Sequence, residues 1–403
     1  MIEDIATDVS KLLIDSTPSR DFDGFIGMRS HMEKIEPLLR LESDEVRMIG
    51  IWGLPGIGKT TIARCLFNQL TKPGNNFQHS VFMANIRTAY TIPVCSDDYT
   101  AKVDLQQKFL TQIINSDIKV THLGVAHQRL KDKKVLVVLD DVHRPLQLQA
   151  MAKDTLWFGP GSLIIITTQD QNLLKAHGIN HIYKVGVPTQ SLQIFCMYAF
   201  EQNSPKDGFE KLAWEVTVLA GQLPLALRVI GSYFRGKCKK KWKNALPELR
   251  SRLDGDIASA LKFSYDALCE KDKSLFLHLT CYFNFGHVEN IEIYLLKTFP
   301  NLTQGMENLV DKSLISIVSG NLEINSMLIQ LGREIVLRKY GGSEPSIREP
   351  GKRQFLVDER DVCEVLTDDA VRFDIGISFY CSLKSDLITN HLYLYFAVFF
   401  SGW

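Results

Sequence analysis

The stretch GLPGIGKTTIA, residues 53–63, constrains this chain more than any other feature of its sequence. It fits the pattern Gly-x-x-x-x-Gly-Lys-[Ser/Thr], with Gly53, Gly58, Lys59 and Thr60 at the defined positions. Glycines let backbone N–H groups approach phosphate oxygens closely, and the N-terminus of the following helix adds partial positive charge. The pattern therefore predicts a phosphate-binding loop between a strand and a helix.

Each polar side chain of this loop has an expected task toward a nucleotide. Lys59 should reach the β- and γ-phosphates, the Thr60 hydroxyl should bind Mg²⁺, and Thr61 should lie near the α-phosphate. The alternative is a glycine-rich turn that holds no ligand. The context decides against it, since a strand-like run precedes the loop and an amphipathic helical pattern follows it. That helix carries its apolar face on Ile62, Ala63, Leu66, Phe67 and Leu70.

A later apolar run, KKVLVVLDDV, ends in two carboxylates, Asp140 and Asp141. A carboxylate at the end of a buried strand is the usual partner of such a loop, where it holds Mg²⁺ through water. We expect Asp140 to take this role beside Thr60. Asp141 is the candidate to polarise an attacking water.

The fold class is indicated by strand-like runs that alternate with helical patterns. The predicted strands are VRMIGIWG, SVFMAN, KKVLVVLDDV, SLIIITTQ and HIYKV. Continuous apolar runs between helices indicate a parallel sheet that is buried on both faces. The prediction is an α/β fold of the P-loop NTPase type, followed by a helical domain and a winged-helix domain.

The order of these patterns divides the chain into six segments. Strand signals stop after Pro188, and a hairpin signal surrounds Ser319-Gly320-Asn321 after several helical patterns. Helices followed by a hairpin indicate a winged helix, which either packs or binds DNA, although no basic reading face is evident. The predicted segments are 1–20, an N-terminal linker helix; 21–189, the P-loop nucleotide-binding domain; 190–252, a helical domain; 253–340, the winged helix; 341–370, a linker; and 371–403, a divergent tail.

Charge and cysteine content exclude several classes of protein. Lys+Arg and Asp+Glu both number 46, and this balance argues against a general nucleic-acid binder. The eight cysteines show neither metal-ligand spacing nor a CxxC pair, so we expect a reduced, cytoplasmic protein, with the nucleus as a second location. The longest late apolar run, 392–400, is too short to span a bilayer as a helix, so no membrane partner is expected.

The ordered motifs resemble the NB-ARC module of plant intracellular immune receptors of the class that carries an N-terminal TIR domain. The resemblance covers roughly residues 15–370. It rests on the segments GFIGMRSHMEKI, GLPGIGKTTIA, KKVLVVLDDV, GSLIIITTQD, GQLPLAL, FLHLTCYF and EPGKRQFLVDERDVCEVLTDD.

The resemblance implies a switch that is closed around ADP and opens on exchange for ATP, so the nucleotide acts as a signal. The implied partners are ADP/ATP with Mg²⁺ and other receptor chains or TIR-containing proteins. The residues that the motifs assign to the nucleotide are Ile26, Gly53, Pro55, Gly56, Ile57, Gly58, Lys59, Thr60, Thr61, Thr168, Pro224 and Leu225, with Thr60 and Asp140 on Mg²⁺.

The sequence departs from the family pattern at four points. Leu163 stands where the family has an arginine after Gly-Ser, so a γ-phosphate contact should be missing. Gln222 replaces a glycine, and Asn325 stands where a histidine should touch the ADP β-phosphate. With no TIR domain or repeats in the sequence, we expect a truncated receptor that acts as adaptor, decoy or relic, with very slow hydrolysis. A true ATPase and a nucleotide-regulated DNA-binding protein remain alternatives.

Overall fold

The computed structural model describes residues 25–72, 74–89, 98–115, 119–283 and 285–340. The predicted N-terminal linker helix, the linker 341–370 and the tail lie outside these residues. The described chain forms two compact units. Unit 1 extends to Ser204 and includes residues 222–228 and 311–313, and unit 2 contains residues 205–221, 229–310 and those from 314 onward.

Unit 1 is built on a parallel sheet of five strands in the order β2-β3-β4-β1-β5. All five strands were predicted from the sequence, and each apolar run is the reason for its strand. The strands are β1 (Arg47–Trp52), β2 (His79–Met83), β3 (Val135–Val142), β4 (Leu163–Thr168) and β5 (His181–Lys184).

Helices accompany this sheet along the chain. They are α1 (Met28–Leu39), α2 (Lys59–Leu70), α3 (Ile86–Ala89), α4 (Asp98–Ile114), α5 (Val125–Leu130), α6 (Pro145–Met151), α7 (Gln171–Ala176) and α8 (Ser191–Phe200), with a short 3-10 turn at Thr155–Trp157. The α2 helix packs on β1, β3 and β4. The α4 helix packs on β2 and on α6.

Alternation along the strands separates two buried faces of the sheet. Val137 and Leu139 belong to one apolar cluster with Ile164 and Ile166, under α4 and α6. Successive strand residues point to opposite faces, so the intervening residues of β3 and β4 face the α2 helix instead. Asp140 and Thr167 fall on this second set, which places both on the side of the sheet that carries the phosphate loop.

Unit 2 is mainly helical and contains a small antiparallel sheet. Its elements, with α10 divided between the two units at residue 228, are α9 (Glu210–Leu219), α10 (Pro224–Phe234), α11 (Lys239–Ser251), α12 (Gly255–Asp266), α13 (Glu270–Tyr282), β6 (Phe285–His287), α14 (Val288–Leu295), α15 (Leu302–Asp311), β7 (Ser316–Val318), β8 (Asn321–Glu323) and α16 (Ser326–Tyr340). The strand order is β6-β8-β7. Within this unit α13 packs against α16, and α9 packs against α11.

The predicted hairpin is present as β7 and β8, joined through Ser319 and Gly320, both with positive φ. Strand β6 was not predicted, because a strand of three residues is too short to show alternation. Helix α14 was not predicted either. The unit boundaries do not coincide with the domain boundaries expected at 189 and 252, since α8 and residues 222–228 belong to unit 1. Those boundaries stay a prediction.

Candidate nucleotide site

The phosphate loop lies between the end of β1 and the first turn of α2, as predicted. Gly56 and Gly58 have φ of 74° and 103°, backbone angles that residues with a Cβ rarely adopt. A Cβ built on Gly58 would meet nothing within 4 Å, so the space in front of this residue is open. The loop therefore offers backbone groups and the helix N-terminus to a ligand.

The start of α10 packs directly against this loop. Leu225 N donates a hydrogen bond of 3.1 Å to Gly56 O, and a Cβ on Gly56 would lie 2.9 Å from Leu225 Cβ. Pro224 is the first residue of α10, where its missing N–H costs nothing. The structure thus brings the distant GQLPLAL motif to the phosphate loop.

Lys59 is buried at the first position of α2, with 7% of its surface exposed. Its Nζ donates to Gly53 O at 2.7 Å and to Leu54 O at 3.0 Å, both within the loop. Burial lowers the pKa of this ammonium to about 7, against the opposing effect of Asp141. A phosphate at the loop would supply the negative charge that this buried ammonium lacks.

Thr60 and Asp140 meet as the sequence predicts. Thr60 Oγ1 donates to Asp140 Oδ1 at 2.9 Å, which joins the first turn of α2 to the end of β3. Asp140 is fully buried. A hydroxyl and a carboxylate in contact are a donor set that suits Mg²⁺, which takes oxygen ligands and completes its shell with phosphate and water.

The threonine that reaches Asp140 from β4 is Thr167, which the sequence analysis did not select. Thr167 Oγ1 donates to Asp140 Oδ1 at 2.7 Å and accepts from Asp141 N at 2.8 Å. The predicted Thr168 points to the other face of the sheet, where its hydroxyl donates to Val142 O and accepts from Asp170 N. Strand alternation is the reason for this correction.

Asp141 occupies an irregular position at the end of β3. The register between β3 and β4 shifts between Leu139 and Val142, and Asp141 has φ of 62°. Such a bulge re-aims a side chain that would otherwise point away. Burial raises the pKa of the Asp141 carboxyl, and Arg87 and Lys59 oppose that effect.

Arg87 is the charged residue that the sequence analysis missed. It lies on α3 at the carboxyl edge of β2, and its Nη2 forms a 2.8 Å ion pair with Asp141 Oδ1. Only 9% of its surface is exposed, and burial lowers the pKa of its guanidinium. An arginine shortly after a predicted strand was the signal available in the sequence.

The expectation that position 163 is where a γ-phosphate contact is lost was wrong. Leu163 is the first residue of β4, pairs with Arg47 at the start of β1 and is 2% exposed. The phosphate loop follows the opposite end of β1, about 17 Å away at 3.3 Å per residue. An arginine at position 163 could not reach a phosphate there. The residue of this segment at the correct edge is Gln169.

The three-residue segment Asp311–Ser313 belongs to unit 1 and completes this edge. Trp52 Nε1 donates to both Gln169 O and Asp311 O. Lys312 forms a 2.8 Å ion pair with Asp170.

Four predicted nucleotide contacts remain to be placed. Ile26 lies half-buried in the turn before α1. Pro55, Ile57 and Thr61 lie in or directly after the loop, where their sequence places them.

The sheet order, the phosphate loop and the contact between Thr60 and Asp140 define a nucleotide-binding module of the P-loop NTPase fold. Residues 28–205 match the NB-ARC domain, and residues 269–340 match the winged-helix domain of Roq1-like disease resistance proteins. The chain therefore contains an NB-ARC domain, followed by a winged-helix domain of the kind found in Roq1-like disease resistance proteins.

Two curated relatives from Arabidopsis thaliana place the chain more closely. It is 54% identical to Disease resistance protein TAO1 over 381 residues, which cover 94% of this chain and 31% of the relative. It is 53% identical to Probable disease resistance protein RPP1, with 94% and 31% covered. The chain thus spans about a third of the length of these relatives.

A solved structure supports the fold. The Walker-type ATPase PABY2304 of Pyrococcus abyssi matches with a TM-score of 0.51 at 16% identity, covering 79% of this chain and 97% of the other. Within the described residues, no helix combines the length and apolar character that crossing a membrane requires. Among the same residues, no group of three His, Cys, Asp or Glu side chains is arranged to hold a metal.

Proposed function

We propose that this chain is the ADP/ATP-binding switch module of a plant intracellular immune receptor and acts in defence signalling. The carrying observation is the 2.9 Å hydrogen bond between Thr60 and Asp140, directly behind the phosphate loop. It joins the two residues that would hold Mg²⁺ on a bound nucleotide. Mg²⁺ would bridge phosphate oxygens and offset their charge.

The loop residues divide the work of holding the phosphates. The backbone N–H groups of the glycine-rich turn would surround the β-phosphate, and Lys59 would contact the β- and γ-phosphates. Leu225 would shape the wall beside Gly56, which it already contacts. Ile26 and Pro224 are proposed to pack against the nucleoside. The proposed partners are other receptor chains or TIR-containing proteins, in the cytoplasm or the nucleus.

Calorimetry with ADP and Mg²⁺ tests this proposal. Lys59→Ala should weaken binding ten- to hundredfold, because a charge-assisted hydrogen bond contributes about 1.5–3 kcal/mol. Lys72→Ala, an exposed lysine beyond the end of α2, is the matched control and should bind as the wild type does. Equal affinity in the Lys59 and Lys72 variants would exclude Lys59 from the site.

A true ATPase is the second candidate, and Arg87 is the observation that favours it. A buried arginine beside a candidate base, Asp141, is a feature of phosphoryl-transfer sites. The switch proposal instead expects slow turnover. Steady-state phosphate release separates the two, since a turnover near the enzyme median of about 10 per second fits only the ATPase.

A further inference from the structure

The Arg87–Asp141 ion pair lies among the charges that would meet the terminal phosphate. Arg87 Nη2 lies 2.8 Å from Asp141 Oδ1, and the adjacent Asp140 bonds at 2.9 Å to Thr60, the residue directly after Lys59. The loop lysine is the group that contacts β- and γ-phosphates in this fold. Arg87 is therefore close to the position where a diphosphate and a triphosphate differ.

The two cations are held in different ways. Lys59 Nζ is bonded to the loop carbonyls of Gly53 and Leu54, which belong to the cradle itself. Arg87 forms its ion pair with a carboxylate, Asp141, whose side chain is 25% exposed. A phosphate oxygen can replace a carboxylate oxygen as a guanidinium partner, because both accept charge-assisted N–H bonds with similar geometry.

The charge balance favours such an exchange when a third phosphate arrives. The cluster contains two basic side chains, Arg87 and Lys59, and two carboxylates, Asp140 and Asp141. A γ-phosphate adds negative charge beside Asp141, and like charges at close range disfavour one another. Moving the guanidinium from Asp141 to the phosphate would offset that repulsion and uncover the carboxylate.

We propose that Arg87 distinguishes ATP from ADP in this module by exchanging its Asp141 partner for the γ-phosphate. The proposal rests on the nucleotide-switch function proposed above and assigns the γ-phosphate contact to the strand β2 side of the site. A ligand shifts a two-state module only by its differential affinity for the two states, and Arg87 would supply that difference. The same exchange would release Asp141 to meet water.

The test compares affinities for ADP and for β,γ-imido-ATP, both with Mg²⁺, measured by calorimetry on the same preparations. Arg87→Gln should weaken binding of the triphosphate analogue roughly tenfold to hundredfold and change ADP affinity less than about threefold. Arg87→Lys should recover part of the preference, because it restores charge without the planar fork. Arg129→Gln, an exposed arginine on α5, is the matched control and should change neither affinity.

A double-mutant cycle tests the exchange itself. Asp141→Asn should raise the preference for the triphosphate analogue more when Arg87 is present than in the Arg87→Gln background, where only the loss of like-charge repulsion acts. The ratio of the two affinities is insensitive to a variant that is partly unfolded, so a structural role of the ion pair would lower both affinities equally. Equal losses for both nucleotides, or an Asp141→Asn effect of the same size with and without Arg87, would overturn the proposal.

The wild type separates this inference from the function on which it rests. If the wild-type chain binds neither nucleotide, the switch function fails and the role of Arg87 fails with it. If the wild type binds both nucleotides and Arg87→Gln keeps the same ratio, only the assignment of Arg87 is wrong. In that case the γ-phosphate contact must come from another residue.

Discussion

Asn325 Nδ2 donates a 2.9 Å hydrogen bond to the carbonyl oxygen of Gly221. The other end of the same amide caps a helix, since Asn325 Oδ1 accepts from Met327 N at 3.0 Å in the first turn of α16. Gly221 has φ of 59°, and a Cβ there would lie 2.5 Å from Asn325 Oδ1. The sequence marks Asn325 as a lost phosphate contact, and in the structure its amide bonds to Gly221 and Met327 within unit 2.

This dual bonding predicts different effects for two substitutions of Asn325. Asn325→Asp keeps the cap acceptor and loses the donor to Gly221 O, so it should destabilise unit 2 by about 1–2 kcal/mol. Asn325→Ala loses the cap as well and should cost about 1 kcal/mol more. Urea unfolding followed by circular dichroism measures both effects. Asn290→Asp, an exposed change of the same charge on α14, should stay within about 0.5 kcal/mol of wild type.

The position of Leu163 predicts that restoring the family arginine there fails. Leu163→Arg places an unpaired charge on the buried strand β4, between β1 and β3. It should destabilise the protein by about 3 kcal/mol or more. It should not alter the ratio of ATP to ADP affinity in the protein that folds. Gln169→Arg, at the carboxyl edge of β4, should instead favour ATP about fivefold, as one added charged contact of about 1 kcal/mol would. A nucleotide preference that responds to position 163 and ignores position 169 would contradict this account.

Gln222 predicts a stabilising reversion to the family residue. Its φ of 54° is left-handed, and Gly221 beside it is also left-handed. Gln222→Gly should raise the melting temperature slightly. It removes about 1–2 kcal/mol of backbone strain, and the greater entropy of glycine in the unfolded chain cancels only about 0.5–1 kcal/mol of that gain. Gln222→Val should lower it, since a β-branched side chain tolerates this conformation least. Differential scanning calorimetry decides, and a glycine variant less stable than the valine variant would exclude strain at this position.

His278 predicts loss of stability in mild acid. It is buried on α13 against the rings of Tyr282 and Phe299, and burial lowers its pKa below the usual 6.5. The unfolded chain therefore takes up this proton first as the pH falls through about 6.5, and stability that is present above this pH is lost below it. His278→Gln should flatten the dependence of the unfolding free energy between pH 7.5 and pH 5.5, at about 25 °C. An unchanged slope would assign acid sensitivity to other groups.

The sequence by itself determined the parts of this protein that depend on local pattern. Continuous apolar runs specified the central strands β1, β3 and β4, because a strand buried on both faces needs such a run, and shorter mixed runs marked the edge strands β2 and β5. The glycine spacing specified the phosphate loop, and the strand that ends in Asp140 specified the partner of Thr60. These inferences needed no knowledge of which strands are neighbours.

Only the tertiary structure decided which side chains meet inside that frame. Thr167 rather than Thr168 contacts Asp140, because the face of a strand residue depends on the register with its neighbour. Arg87 meets Asp141 because β2 and β3 are adjacent in the sheet and a bulge turns Asp141 toward it. Leu163 lies far from the loop because it begins β4, whereas the loop follows the end of the parallel strand β1. Pairing, register and direction are properties of the assembled sheet, and a short motif does not carry them.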